Sequence, residues 1–187
     1  AGSSQTHVVL GGALPPLGAQ NLAGTLAAAV LGEGMSSPLM EELREKRGLA
    51  YYCACSADVY EHGGQFVIEA SLAPEQVDEC LTEVARLLHQ HAQRIDPVDL
   101  ERARHQLAVR RLRQHERSWR QLENAALDAL LLGHVRSDAQ WLERLEAVTE
   151  AQVRAVFEGL LQAGLSAAFS GKVPRGTAER ARGLLAA

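Results

Sequence analysis

The stretch EELREKRGLAYYC, from Glu41 to Cys53, runs from a charged helix end into a strand, and this joint decides the class of the fold. Gly48 stops the helix, because glycine is the residue preferred just past a helix C-terminus. Cations in a last helical turn complement the helix dipole, so an ordinary solvated turn is one interpretation. A joint that binds a ligand is the alternative. The side chains in question are Arg44, Lys46, Arg47, Tyr51 and Tyr52.

Upstream of the joint, the sequence predicts one strand and two helices. The run from Thr6 to Leu14 is rich in strand-forming residues and is closed by two prolines, so we expect a strand. Apolar and small residues at helical spacing predict a closely packed helix from Ala19 to Gly32. Ser37 is a good N-cap and Pro38 a good first helical residue, so the helix of the joint begins there.

Downstream of the joint, LAYYCACSADVY and GGQFVIEASL predict a β-hairpin that turns through EHGG. In the second run, Phe66, Ile68, Ala70 and Leu72 alternate with polar residues, which indicates one buried face.

The rest of the chain is mainly helical in pattern. An amphipathic helix follows Pro74, and another begins at Asp96 and continues to Gly133 with a break near Ser118. The capping boxes SDAQ and TEAQ start two shorter helices. LSAAFSGKV then predicts a last strand, and GTAERARGLL a terminal helix.

This element order predicts an α+β fold with a mixed or antiparallel sheet and helices packed on one face. No repeat, low-complexity tract or linker divides the chain, so we expect residues 1–187 to form a single domain. The chain does not begin with Met, which favours a piece of a longer protein. No apolar run reaches about 18 residues, so we expect a soluble domain without a membrane span, cytoplasmic or exported.

Composition argues against nucleic acid as a partner. The net charge is −4 and aromatic residues make up 4% of the chain, so neither a basic surface nor a base-stacking platform is expected. One helix is nevertheless rich in arginine. It has two interpretations: a groove for nucleic acid, or a face that is solvated or contacts another domain. The arginines point to most sides of the helix, which favours the second interpretation. These arginines are Arg102, Arg104, Arg110, Arg111, Arg113, Arg117 and Arg120.

The motifs of common hydrolases are missing from the sequence. Neither H-E-x-x-H nor H-x-x-E-H occurs among the seven histidines, so we expect no zinc site within this chain. Cys53, Cys55 and Cys80 fit no metal pattern and are expected to be buried thiols. The turn GEGMSS could cradle an anion at a helix N-terminus, but a turn followed by a cap is the simpler interpretation.

Arg44 and Tyr51 are the candidate site residues. A fork-shaped cation and a phenol on the two sides of Gly48 could converge on a carbonyl oxygen or an oxyanion, although the dipole interpretation remains open on these grounds.

The segments VLGEGMSSPLMEELREKRGLAYYC and VYEHGGQFVIEASLAPEQVDECL resemble pitrilysin-type zinc metallopeptidases, the insulinase and mitochondrial-processing-peptidase relatives. The similarity is to their C-terminal-type domain, which lacks the zinc motif, and it extends through LEAVTEAQVRAVFEGLL to FSGKV. It implies the metallohydrolase-like domain fold of the processing peptidases. The family turn usually has Arg where Pro38 stands, so any contact of that Arg is missing here.

The resemblance implies a division of labour between two domains. Arg44 and Tyr51 match the Arg and Tyr with which the zinc-less domain contacts peptide substrate near a zinc held by the other domain. Zinc is therefore expected in a homologous partner domain, in the same parent chain or in a partner subunit, and this chain alone is not expected to hydrolyse peptides. The alternative is a catalytically inactive assembly subunit, like the core proteins of respiratory complexes.

Overall fold

The protein's structure, a computed structural model, describes residues 4–16, 21–114 and 116–185. A first strand and two helices lead to a long hairpin, a helical region, a fourth strand and a last helix. Helix α2 continues through a π-helical turn, Glu41–Lys46, and a 3-10 turn, Pro74–Gln76, precedes α3. The elements are β1 (Thr6–Leu14), α1 (Asn21–Gly32), α2 (Pro38–Met40), β2 (Ala50–Tyr60), β3 (Gly63–Leu72), α3 (Val77–Gln93), α4 (Pro97–Gln114), α5 (Ser118–Leu132), α6 (Asp138–Glu146), α7 (Glu150–Ala163), β4 (Ser166–Gly171) and α8 (Thr177–Leu185).

The four strands form one antiparallel sheet in the order β2-β3-β1-β4. Leu10 is opposite Ile68 between β1 and β3, and Cys55 is opposite the same Ile68 between β2 and β3. Strand β4 reaches β1 from the other side, where Val8 is opposite Phe169. The predicted hairpin is confirmed, and of the two sheet types expected the antiparallel one is present.

The core lies between one face of the sheet and a layer of helices. Along β1 and β3 every second side chain is buried, as the alternation predicted, and α1, α3 and α7 cover this face. Phe66 of the sheet meets Phe157 of α7 edge-on, with ring centroids 5.9 Å apart. His7, Val9 and Glu69 point to the opposite face and are exposed. The predicted α+β fold with helices on one face is confirmed.

Local signals place most helix ends correctly. Ser137 and Thr149 each form the predicted capping box, and the Val98 amide donates to the Asp96 carboxylate at 2.8 Å. The predicted break at Ser118 separates α4 from α5, and Gly133, with φ of 74°, ends α5. The first two residues predicted for α1, Ala19 and Gln20, lie outside the described residues.

In the described part of the chain, none of the helices has the length and apolar character needed to cross a bilayer.

His91 of α3 is a titratable group inside this core. Its side chain is 4% exposed, its Nδ1 donates to the Leu87 carbonyl at 2.7 Å, and its ring lies 5.2 Å from that of Phe157. Burial lowers the pKa of His91, although the bond to the Leu87 carbonyl opposes the shift. The folded protein therefore favours the neutral imidazole.

Acidification should destabilise the protein through His91. A lowered folded pKa means that the unfolded chain binds the proton first, so the stabilising effect is complete above about pH 6.5 and is lost as the pH falls below that value. We expect the free energy of unfolding in urea to fall by roughly 1 kcal/mol between pH 7.5 and pH 5.5. His91→Gln should flatten this slope, whereas His89→Gln, at an exposed position of the same helix, should retain it. An unchanged slope in His91→Gln would contradict the assignment.

Candidate functional site

The turn GEGMSS anchors the helix that carries Arg44. The Ser37 side chain is buried and accepts from the Met40 amide at 3.4 Å, and Pro38 begins the helix, as predicted. Gly34 has φ of 84°, so the backbone conformation requires glycine there; the nearest obstacle to a Cβ atom is the flexible end of the Gln106 side chain, at 2.3 Å. The simpler interpretation of this segment, a turn followed by a cap, is confirmed.

The helix itself contains an irregularity at Arg44. Its second part, Glu41–Lys46, is π-helical rather than α-helical, a rare geometry that is frequent at functional sites. Leu39 and Leu43 are fully buried and fix the helix on the core. Arg44 follows Leu43 within the wide turn, and 45% of its side chain is exposed. The sequence predicted a helix here but not its π-helical form.

The chain reverses between Arg44 and Tyr51 through two backbone hydrogen bonds. The Gly48 amide donates to the Arg44 carbonyl at 3.0 Å, and the Leu49 amide donates to the Leu43 carbonyl at 2.7 Å. Gly48 has φ of 61°, a left-handed conformation that L residues adopt only with strain. The predicted helix stop at this glycine is confirmed.

A second irregularity lies at Tyr51. Ala50 is opposite Leu72 and Tyr52 is opposite Ser71, so Tyr51 is an extra residue in β2. This β-bulge disrupts the alternation of the strand, and both tyrosines at the bulge are exposed. Tyr51 is 64% exposed, and within the described residues its hydroxyl has no hydrogen-bond partner. Bulges often redirect a side chain next to an active site.

Arg44 lies close to the strand that carries Tyr51. Burial raises the pKa of the Cys53 thiol to about 11, and the positive charge of Arg44 opposes that rise. The guanidinium of Arg44 therefore lies close enough to Cys53, two residues after Tyr51, to act on its thiol. The structure thus places both candidate residues, Arg44 and Tyr51, exposed on one joint, each at a backbone irregularity.

Lys46 and Arg47 have a different role, because carboxylates of the same chain pair with them. Lys46 lies 2.8 Å from Glu42 and 3.0 Å from Glu41. Arg47 lies 3.2 Å from Glu83 of α3, a carboxylate that is 6% exposed. The hydrogen bond from Lys46 lowers the pKa of Glu42, which keeps that carboxylate charged. Arg47 therefore holds the joint on α3, whereas Lys46 is paired within its own helix.

Arg44 is the cation of this joint with the weakest pairing. Its Nε lies 3.8 Å from the exposed carboxylate of Glu45, and no closer acidic partner is present among the described residues.

The partners of Arg47 on α3 were not predicted from the sequence. Their spacing was a usable signal, because Glu79, Glu83 and Arg86 recur at three- and four-residue intervals along one side of an amphipathic helix.

The site is an open surface rather than a cavity. The described residues form clefts of about 130 to 520 Å³, and neither Arg44 nor Tyr51 lines any of them. A ligand bound at the joint would therefore need a second surface opposite it to be enclosed.

The described residues do not provide a set of zinc ligands. No group of three or more His, Cys, Asp or Glu side chains among them converges on a point that could hold a metal ion. His7 lies on the exposed sheet face and shares a hydrogen bond of 2.7 Å with Ser71, whereas His62 lies at the hairpin tip. His115 lies outside the described residues. Cys53, Cys55 and Cys80 are free and buried, and burial raises the pKa of all three thiols, so the interpretation as buried thiols is confirmed.

Four of the seven clustered arginines bind other parts of the same chain. Arg102 donates to the carbonyls of Val30 and Glu33, both at 2.8 Å, at the end of α1. Arg104 donates to the carbonyl of Val148 at 2.6 Å. The remaining two contacts are ion pairs, Arg110 with Glu33 at 3.1 Å and Arg111 with Asp138 at 2.9 Å. This half of the cluster holds helices together, as the domain-contact interpretation predicted.

The family described as "Peptidase M16 inactive domain" matches residues 1–107, which include the joint, the hairpin and α3. An uncharacterized zinc protease from Mycobacterium tuberculosis is 30% identical over 171 residues, which cover 90% of this chain and 39% of that protein. The alpha subunit of the mitochondrial-processing peptidase from Caenorhabditis elegans is 27% identical over 138 residues, covering 74% of this chain and 27% of that subunit. The chain thus spans about two-fifths or less of the length of these relatives.

Solved structures share the fold. The peptidase M16 inactive domain from Pseudomonas fluorescens superposes with a TM-score of 0.77 at 21% identity, covering 93% of this chain and 42% of that one. A chain of complex III from Candida albicans superposes with a TM-score of 0.82 at 16% identity, covering 97% of this chain and 46% of that one.

Replacing Gly48 should strain the joint. A Cβ atom at Gly48 would meet no neighbouring atom, so Gly48→Ala tests the backbone conformation alone. The left-handed conformation should make this variant about 1 kcal/mol less stable. Gly159 of α7 also has open space around it but lies inside a helix, so Gly159→Ala should raise stability by about 0.5–1 kcal/mol. Urea unfolding of both variants checks the pair, and equal effects would contradict the conformational argument.

Proposed function

This chain belongs to the M16 peptidase family as its inactive domain, and we propose that it completes the active site of a zinc-bearing M16 domain. In this proposal Arg44 and Tyr51 contact the peptide bond to be cleaved, and the partner domain supplies zinc. The observation that carries the proposal is the contrast within one joint. Carboxylates within 3.2 Å pair with Lys46 and Arg47, whereas the nearest acidic group to Arg44 among the described residues lies 3.8 Å away. Arg44 and Tyr51 each lie at a backbone irregularity.

Both side chains have the chemistry that the role requires. When water attacks a peptide carbonyl, its oxygen gains negative charge, and hydrogen-bond donors that are already in position lower the barrier. A guanidinium donates two parallel N–H bonds, and a phenol donates one O–H bond. Donors aimed at that oxygen raise kcat rather than only tightening substrate binding, because the charge develops in the transition state.

The surrounding fold keeps these donors in position. Leu39 and Leu43 are fully buried below the π-helical turn, and the ion pair between Arg47 and Glu83 attaches the joint to α3. The backbone of Arg44 is therefore fixed, whereas its exposed side chain can reorient toward a ligand. A rigid support of this kind reduces the entropy that is lost when a substrate binds.

The open surface at the joint supports a partner in the site. The Arg44 side chain is 45% exposed and Tyr51 64%, so they cannot exclude water from a bound peptide by themselves. Exclusion of water strengthens hydrogen bonds to a developing charge. A second domain placed opposite the joint would provide that enclosure.

Removing either donor should slow peptide cleavage by the completed active site. The assay mixes this chain with the H-x-x-E-H domain found in the same parent chain or in a neighbouring reading frame, and it measures kcat and KM on a peptide library. Arg44→Ala should lower kcat by about 10²–10³, with a smaller effect on KM. Tyr51→Phe removes only the hydroxyl and should lower kcat by at least about tenfold.

Matched controls separate this role from general damage. Tyr52→Phe removes a hydroxyl from the next residue of β2, and Arg113→Ala removes an exposed cation from α4. Both variants should cleave peptides as the wild type does. If Arg44→Ala and Tyr51→Phe also retain full turnover, the transition-state role is wrong and the alternative, a non-catalytic assembly subunit, is favoured.

A further inference from the structure

Helix α5 turns a mixed face toward the domain, with Asp128 buried and Asn124, Ala125, Leu131 and Leu132 half-buried. Asp128 is the only buried residue of this helix of 15 residues. Its carboxylate accepts three hydrogen bonds from Arg136, from the backbone amide at 3.0 Å, from Nε at 3.0 Å and from Nη2 at 2.7 Å. One turn earlier, Asn124 donates to the Gln114 side chain of α4 at 2.9 Å. The bond to Gln114 attaches the helix to α4, and the bonds from Arg136 fix the loop that follows the helix.

The opposite face of α5 is apolar and exposed. Trp119, Leu122, Ala126 and Leu130 recur at intervals of three and four residues and so form one stripe along the helix. Leu130 is 80% exposed, Leu122 72% and Trp119 55%. Leu127, at the edge of the stripe, is 47% exposed. A surface helix normally turns such a stripe toward the core, so the orientation of α5 indicates that another surface covers the stripe.

A second copy of this chain is a poor occupant for the stripe. The stripe offers five side chains, whereas stable interfaces between separate proteins use roughly 20–30 residues on each side. A partner that also faces the candidate site would add contacts from the joint, so the stripe would not have to supply the whole interface. The M. tuberculosis relative also extends well beyond this chain, which covers 39% of it. These points favour a further domain of the same assembly.

The position of α5 lets such a domain bind without covering Arg44 and Tyr51. Leu131 of α5 and residues 60–65 of the hairpin tip line a cleft of about 520 Å³. Tyr51 and Tyr60 lie at opposite ends of β2, and the nine intervals between them span roughly 30 Å. The stripe and the candidate site are therefore at opposite ends of the same hairpin, so one large partner can contact the first and face the second.

We propose that the apolar stripe of α5 is the docking surface for the zinc-bearing M16 domain. This inference rests on the proposed function, because it names the surface that holds the partner in place. The stripe would lose its contact with water on docking, and the bond of Asn124 to Gln114 would keep the helix attached to α4.

The experiment measures the affinity of this chain for the purified H-x-x-E-H domain of the same parent chain or neighbouring reading frame, by titration calorimetry without substrate. The double variant Leu122→Lys, Leu130→Lys should weaken binding at least about tenfold. The control Val98→Lys, Val173→Lys makes the same chemical change at exposed valines outside α5 and should leave affinity within about twofold. Circular dichroism of each variant checks that it is folded, which exposure of these positions predicts.

Three outcomes would overturn the docking proposal. The first is wild-type affinity in the α5 double variant, and the second is no measurable binding by the wild-type chain. The third is a dimer of the chain alone, seen by sedimentation and dissolved by the α5 substitutions, since that result would assign the stripe to a second copy.

The same variants distinguish this proposal from the proposed function. Tyr51→Phe should bind the zinc-bearing domain normally and fail only in turnover. If binding depends on Leu122 and Leu130 but turnover does not depend on Arg44 or Tyr51, docking stands and the transition-state role fails. If turnover depends on Arg44 and Tyr51 while the α5 double variant binds normally, the transition-state role stands and docking through α5 fails.

Discussion

The hydrogen bond from the Leu49 amide to the Leu43 carbonyl is the contact on which the candidate site depends. It closes the reversal from helix to strand at 2.7 Å, and the left-handed Gly48 makes the geometry possible. Leu43 is fully buried, so the bond fixes the joint relative to the core. Arg44, the next residue, and Tyr51, two residues after Leu49, lie on the two sides of this reversal, and both are exposed.

Carboxylates divide the cations of the joint into two groups. Glu42 pairs with Lys46 within the same helix, whereas Glu83 pairs with Arg47 and attaches the joint to α3, where burial of Glu83 makes an unpaired charge costly. Arg44 has only an exposed neighbour at 3.8 Å, so little energy opposes its reorientation toward a ligand. The pairing of Lys46 with Glu42 follows from their four-residue spacing, whereas the pairing of Arg47 with Glu83 depends on where α3 lies in the fold.

Local patterns predicted most of the fold, whereas the choice of Arg44 and Tyr51 rests on the resemblance to the family. Alternation in β3, the capping boxes at Ser137 and Thr149, and the glycine stop at Gly48 are all determined by near neighbours in sequence, so the sequence predicted them. The π-helical turn and the bulge at Tyr51 depend on how the joint fits the core, and they were missed. The exposure of the apolar stripe of α5 was missed for the same reason, since its periodicity indicates a helix but not which face the domain covers.

The central claim is that Arg44 and Tyr51 stabilise the transition state of peptide cleavage. The most direct test is the affinity of the assembled two-domain protein for a phosphinic peptide, whose tetrahedral phosphorus resembles that state. We predict that Arg44→Ala and Tyr51→Phe weaken this inhibitor by the same factor by which they lower kcat/KM, while the affinity for an uncleaved substrate analogue changes little. Unchanged affinity for the phosphinic peptide in both variants would contradict the claim.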